Sequence, residues 1–196
     1  MRSDHTENRS DQIHVTLPPW VGEVIAGREI FPTLEDRMRL AIALSRENVV
    51  RKTGGPFGAA VFERDSGRLV AVGVNGVTRH NNCTLHGEMV AFMMAQARLG
   101  NFSLGAPGMP AHELVTSCEP CAMCLGAILW SGVVRVVCGA ARQDASELKF
   151  EEGPVFPESY RYLEERGIEI LHRVLRGEAR AVLELYRAQG GAIYNG

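Results

Sequence analysis

No stretch of the 196 residues offers the roughly 18 apolar side chains in a row that a membrane-spanning helix requires. No charged start followed by an apolar run marks a secretory signal either. A basic excess is also missing: 21 Lys and Arg face 23 Asp and Glu, a net charge of −2, whereas binding along a phosphate backbone draws on surplus positive charge. That balance argues against a nucleic-acid partner and favours a small, neutral or weakly charged substrate. Cysteine is scarce and odd in number, five in all, with three between positions 118 and 124. A disulfide framework is therefore not expected, and a reducing, cytoplasmic setting is. There is no internal repeat or interior linker, and the length suits one folded domain.

Met1 to Gln12 is polar and charged and reads as a solvated tail. Leu17-Pro18-Pro19-Trp20 and Ile30-Phe31-Pro32 mix bulky apolar groups with helix-breaking prolines, as in a segment laid across a domain surface or a neighbouring subunit. The reading divides the chain into this leader, 1–32, and a folded unit, 33–196. Thr33 before Leu34-Glu35-Asp36 reads as a helix start, with Met38, Leu40, Ile42, Leu44, Val49 and Val50 following on one broad face. Residues 57–62 and 69–74 read as a strand hairpin, 85–99 as a buried helix, 113–117 as a strand, 121–130 as an apolar helix and 133–138 as another strand. After a loop from 139 to 157 come a short helix, a strand and a last helix. That order predicts an α/β fold: a single three-layer α/β/α domain whose mixed sheet of about five strands has helices on both faces.

Within this frame two short strings carry the chemistry. His86-Gly87-Glu88 reads H-x-E, and 32 residues after Glu88 begins Pro120-Cys121-Ala122-Met123-Cys124, P-C-x-x-C. One imidazole and two thiolates suit Zn²⁺, and three protein ligands leave a tetrahedral position open for water. Cys121 and Cys124 open a predicted helix, whose exposed N–H groups and dipole favour thiolates. Glu88 is spare as a ligand and free to move protons between water and a substrate nitrogen. The predicted reaction is hydrolytic deamination of a cyclic amidine, C–NH₂ to C=O with release of ammonia. Two other readings compete. Cys118 with Cys121, Cys124 and His86 would make a closed structural zinc site, but Cys118 ends a strand while the other two open a helix. A redox dithiol leaves the His86 and Glu88 pair without a purpose.

Gly54-Gly55-Pro56-Phe57-Gly58-Ala59-Ala60, Thr116-Ser117-Cys118-Glu119-Pro120-Cys121 and Cys124-Leu125-Gly126-Ala127-Ile128-Leu129-Trp130 resemble bacterial guanine deaminases of the cytidine deaminase-like superfamily. The similarity runs from about Thr33 to the C-terminus. It implies a homodimer with one zinc per subunit, metal ligands His86, Cys121 and Cys124, and Glu88 as proton shuttle. It also implies Asn75 as a hydrogen-bond partner of the base, Phe57 and Trp130 as pocket walls, and a tail, 190–196, whose Tyr194 closes the site as a lid. A second acidic residue is expected in the loop before the final strand, where Asp144 and Glu147 are the candidates. Each of these has a plain structural alternative: a turn at Asn75-Gly76, core packing at Phe57 and Trp130, a solvated carboxylate in the acidic loop.

One departure bears on the substrate. Thr84-Leu85-His86-Gly87-Glu88 is similar to fungal cytosine deaminases, which keeps cytosine and related aminopyrimidines or triazines as alternatives to guanine. Nucleosides stay open as well. Adenosine in tRNA would need a basic surface, yet Arg173, Arg176, Arg180 and Arg187 are interleaved with Glu169, Glu178 and Glu184. The non-enzyme alternative is a zinc-binding module that has lost turnover.

Overall fold

The computed structural model describes residues 12–195, so almost all of the polar leader tail lies outside it. Five strands form one mixed sheet, β1 (Gly58–Glu63), β2 (Leu69–Val74), β3 (His112–Cys118), β4 (Arg135–Ala140) and β5 (Glu169–Leu171), in the order β2-β1-β3-β4-β5. The β1–β2 and β1–β3 pairs are antiparallel, whereas β3–β4 and β4–β5 are parallel. The parallel half follows from the helices that the sequence inserts between these strands, since a parallel return needs a crossover.

Alternate residues of the strands enter two separate cores. On β1, Ala60 and Phe62 pack on one side while Ala59 and Val61 pack on the other, and β4 divides Val137 from Val136 and Cys138 in the same way. The first core is closed by α1 (Val21–Ile25), α2 (Leu34–Val50) and α8 (Arg176–Ala188), and the second by α4 (Gly87–Leu99), α5 (Ala122–Ser131) and α7 (Pro157–Glu165). The three-layer arrangement is the expected one. Two short helices, α3 (Val77–His80) and α6 (Arg142–Ser146), occupy stretches read as loop. Both are about one turn long, too short for hydrophobic periodicity to reveal.

Local sequence explains the placement of these elements. Thr33 Oγ1 accepts from the Asp36 N–H at 3.0 Å and starts α2. Met38, Ala41, Leu44, Ser45 and Asn48 recur at spacings of three and four and are buried. Gly73 on β2 lets α4 lie directly against the sheet, because a β-carbon there would run into the Gly87 carbonyl and the Ala91 backbone. The described part of the leader contributes to this chain's own core: Trp20 is 5% exposed and Phe31 3%, and the Trp20 indole donates to Thr53 Oγ1 at 3.1 Å. Glu113, fully buried in β3, is satisfied by Arg37 from α2 and by Arg135 from β4 at 2.6 Å. Such a pair is costly to break on one side only, which ties α2 to the sheet centre.

Candidate active site

His86 and Cys121 are the N-cap residues of α4 and α5, both with extended backbone, and Cys124 follows one turn later. Two helix N-termini thus converge at the ends of strands, bringing the positive ends of two dipoles toward the thiols. The Cys121 and Cys124 sulfurs lie 3.4 and 3.8 Å from His86 Nδ1, and all three ligand atoms fall within 4.8 Å of one another. Tetrahedral zinc with N and S ligands demands separations of roughly 3.5 to 3.8 Å, which the two sulfur–nitrogen distances approach. Cys118 takes no part: it is buried, and its thiol donates to the Ala141 carbonyl at 3.8 Å. The closed four-ligand alternative is therefore not built here.

The electrostatics agree with a cation site. The Cys124 thiol, donating to Cys121, holds the Cys121 sulfur down at about 4, with His86 adding to the effect, while Cys124 itself is pushed up by that bond and by burial. Two thiols this close share one negative charge until a cation allows both to ionise. Glu88, in the first turn of α4, is 6% exposed and accepts from Thr116 Oγ1 at 3.3 Å. Burial raises its carboxyl pKa, with the Cys121 charge adding to the effect. A carboxyl whose pKa is raised toward the working pH is suited to taking up and passing on protons.

A cavity of about 180 Å³ opens beside these groups. His86, Glu88 and Cys121 form its chemical end, Phe57, Val77 and Phe150 its apolar walls, and Tyr194 and Asn195 close it from the tail. Phe57 and Tyr194 each meet the Phe150 ring edge-on, with centroids 5.1 and 5.2 Å apart. Asn75 is fully buried behind this wall and keeps both of its readings. Its Oδ1 accepts from the Gly55 and Val77 N–H groups at 3.4 and 3.3 Å, the turn chemistry, while its side-chain nitrogen is buried with no partner among the described residues. Asn48 fixes this corner by donating to the carbonyls of Gly55 and Asn75 at 2.8 and 2.9 Å.

Three expectations need correction. Trp130 lines no wall of this cavity; it stands at the far end of α5 and is 79% exposed. Asp144 turns away from the site, capping the Ala141 N–H at 2.8 Å and taking the Arg176 guanidinium through both oxygens at 2.8 and 2.9 Å. Glu147 pairs with Arg180 at 3.2 Å on the surface. Besides Glu88, the acidic residues that do line the cavity are Glu119, Glu151 and Glu152, and of these Glu152, which the sequence reading missed, has the strongly raised carboxyl pKa. Burial, then the charges of Cys121 and Glu88, push its carboxyl up to about 8. It is held there by its own backbone, whose carbonyl accepts from the Ala122 N–H at the start of α5 at 2.9 Å. The only local cue was a carboxylate pair ahead of Gly153-Pro154.

Comparison with known proteins supports this geometry. Residues 32–140 match the cytidine and deoxycytidylate deaminase zinc-binding region. Guanine deaminase of Bacillus subtilis (strain 168) is 38% identical over 134 residues, 68% of this chain and 81% of that one. Cytosine deaminase of Candida albicans is 34% identical over 110 residues, 55% of this chain and 67% of that one. The solved structure of guanine deaminase from Nitrosomonas europaea is 42% identical, with a TM-score of 0.87 over 93% of this chain and 100% of that one. Sharing this zinc-binding region and the fold of these structures, the chain belongs to the cytidine and deoxycytidylate deaminase family, with a cytidine deaminase-like architecture.

Proposed function

We propose that the protein is a zinc-dependent guanine deaminase, converting guanine and water to xanthine and ammonia. The observation that carries the reading is a single cavity lined by His86 and Cys121 of the three-residue metal cluster, by two carboxyls with raised pKa and by three aromatic rings. Its likeness to the Nitrosomonas europaea guanine deaminase spans nearly the whole chain, which supports the same substrate. Zinc held by His86, Cys121 and Cys124 would supply a water activated as nucleophile at neutral pH.

The chain's own groups account for the rest. Glu88 would take one proton from that water and pass it to the ring nitrogen beside the attacked carbon, then take the remaining proton of the added hydroxyl and pass it to the amine, which leaves as ammonia. Glu152, with its carboxyl near its neutral form, is placed to serve the opposite side of the base. The unpartnered Asn75 amide nitrogen offers a donor to a base acceptor, and Phe57, Phe150 and Tyr194 exclude water by stacking and closing. Gly87 bears on the cytosine alternative: a β-carbon there would lie 3.2 Å from the Phe57 carbonyl, so glycine lets the Phe57 wall approach α4.

We read the molecule as a homodimer. Ala122, Gly126 and Trp130 recur every four residues along the outer stripe of α5, and nothing meets a β-carbon at Gly126 within 4 Å, so a second copy would have a flat, partly apolar face to cover. A cytoplasmic setting is supported by five free cysteines, one of them, Cys83, exposed. No helix among the described residues is long and apolar enough to cross a membrane. The deciding experiment is ammonia release by zinc-loaded protein from guanine, cytosine, adenine, their nucleosides and a tRNA anticodon stem-loop. Turnover of guanine ahead of the others supports the proposal, and preference for any other substrate replaces it.

A further inference from the structure

The turn Glu119-Pro120-Cys121 joins β3 to α5 and presents Cys121, yet it lies in neither element and depends on tethers from elsewhere. Its backbone is tied by the Glu119 N–H donating to the Ala140 carbonyl at 2.9 Å, at the end of β4. Its side-chain tether is the Glu119 carboxylate, 12% exposed, which accepts from the Arg142 N–H at 3.0 Å through one oxygen and from His172 Nδ1 at 2.7 Å through the other. His172 follows β5 directly, so this one carboxylate joins the ends of β3, β4 and β5. The imidazole is itself fixed, with Tyr160 edge-on against it at a centroid distance of 4.9 Å.

Glu119 also lines the catalytic cavity, as do Glu88, Glu151 and Glu152. Both donors that hold it, Arg142 and His172, sit outside that lining. Releasing one oxygen would free this carboxylate to turn further into the cavity and loosen the turn two residues before a metal ligand. We propose that His172 is a positioning residue that, by holding Glu119, fixes the turn presenting Cys121 to the metal. The assignment rests on the reading of His86, Cys121 and Cys124 as zinc ligands and is independent of which base is deaminated. Partners that hydrogen-bond a ligand directly are worth roughly 10- to 100-fold in metal affinity, and His172, acting through Glu119, belongs at the lower end of that range.

The test is zinc release from loaded protein into excess 4-(2-pyridylazo)resorcinol, followed by absorbance, with kcat and KM for guanine measured alongside. His172→Phe keeps a ring against Tyr160 and deletes the donor, and it is expected to release zinc about tenfold faster than wild type. His172→Asn restores an N–H near the position of Nδ1 and is expected to return release toward the wild-type rate, which a general packing role would not do. Glu119→Ala should match His172→Phe, and the double variant should be no faster than either single one. Equal release from wild type and His172→Phe, failure of His172→Asn to rescue, or multiplying effects in the double variant would each overturn the assignment while leaving the zinc reading intact. A wild-type protein that binds no zinc would overturn both.

Discussion

Tyr194 fills the space that a side chain on Gly55 would need, because a β-carbon at Gly55 would fall inside the contact radius of the tyrosine hydroxyl oxygen. The tail is thus fitted to the Gly54-Gly55 loop, and Asn195 latches it by accepting from the Glu151 N–H at 2.9 Å and donating to the Lys149 carbonyl at 2.8 Å. The tail and the loop carrying Glu152 are joined at the mouth of the cavity.

Gly55→Ala is expected to open this closure without unfolding the protein. The methyl group meets the far end of a side chain on a terminal segment, so the tail gives way before the backbone does. The unfolding free energy should change by less than about 1 kcal/mol, while the KM for guanine rises several-fold and chymotrypsin cuts after Tyr194 faster. An unchanged cleavage rate together with an unchanged KM would exclude a closing role for Tyr194.

Glu88→Gln keeps the shape of the buried side chain and its contact with Thr116 but removes the proton acceptor. Turnover should fall by roughly 10²- to 10⁴-fold, with zinc content by atomic absorption at the wild-type level. Residual activity close to wild type would remove Glu88 from the proton path.

Glu152 gives the metal-free protein a definite pH response. Its carboxyl sits at about 8 in the folded chain against an ordinary 4.5, so folding favours the protonated form. That contribution is complete below pH 4.5 and is lost as the pH rises through 8. Denaturant unfolding of metal-free protein at pH 5 and pH 8.5 should show a larger loss of stability for wild type than for Glu152→Gln. Equal losses would place Glu152 in water rather than against Cys121 and Glu88.

Asp144→Asn separates the two acidic candidates of the loop from Glu152, which lines the cavity. The fully buried Asp144 carboxylate anchors α8 to α6 through Arg176 and Arg180, and the Arg176 guanidinium holds its carboxyl below the ordinary 3.8. The substitution should cost about 1–3 kcal/mol of stability and leave kcat unchanged, read by denaturant unfolding and steady-state kinetics. A large fall in kcat with normal stability would return Asp144 to the catalytic set.

Local chemistry was readable wherever neighbours in sequence decide it. The cap at Thr33, the hairpin of β1 and β2, and the apolar periods of α2, α4 and α5 follow from spacing alone. H-x-E and P-C-x-x-C, each at the start of a helix, marked the three side chains that the fold gathers into one cluster. Their spacing is local, and only their meeting is not.

What sequence left open was settled by contacts between distant segments. Asp144 and Glu147 satisfied the expectation of an acidic loop equally well, but arginines 32 to 36 positions away in α8 claim Asp144. Glu152 reaches the cavity because its carbonyl finds the free N–H of Ala122 at the start of α5. The same dependence governs Trp130, whose aromatic character fits a pocket wall until the phase of α5 turns it outward. The sequence by itself determined which side chains are the candidates to bind metal and move protons, because those candidacies reside in residue type and short spacing. Tertiary structure alone decided which carboxylates and rings face the cavity, since burial and pairing are set by partners that only folding brings near.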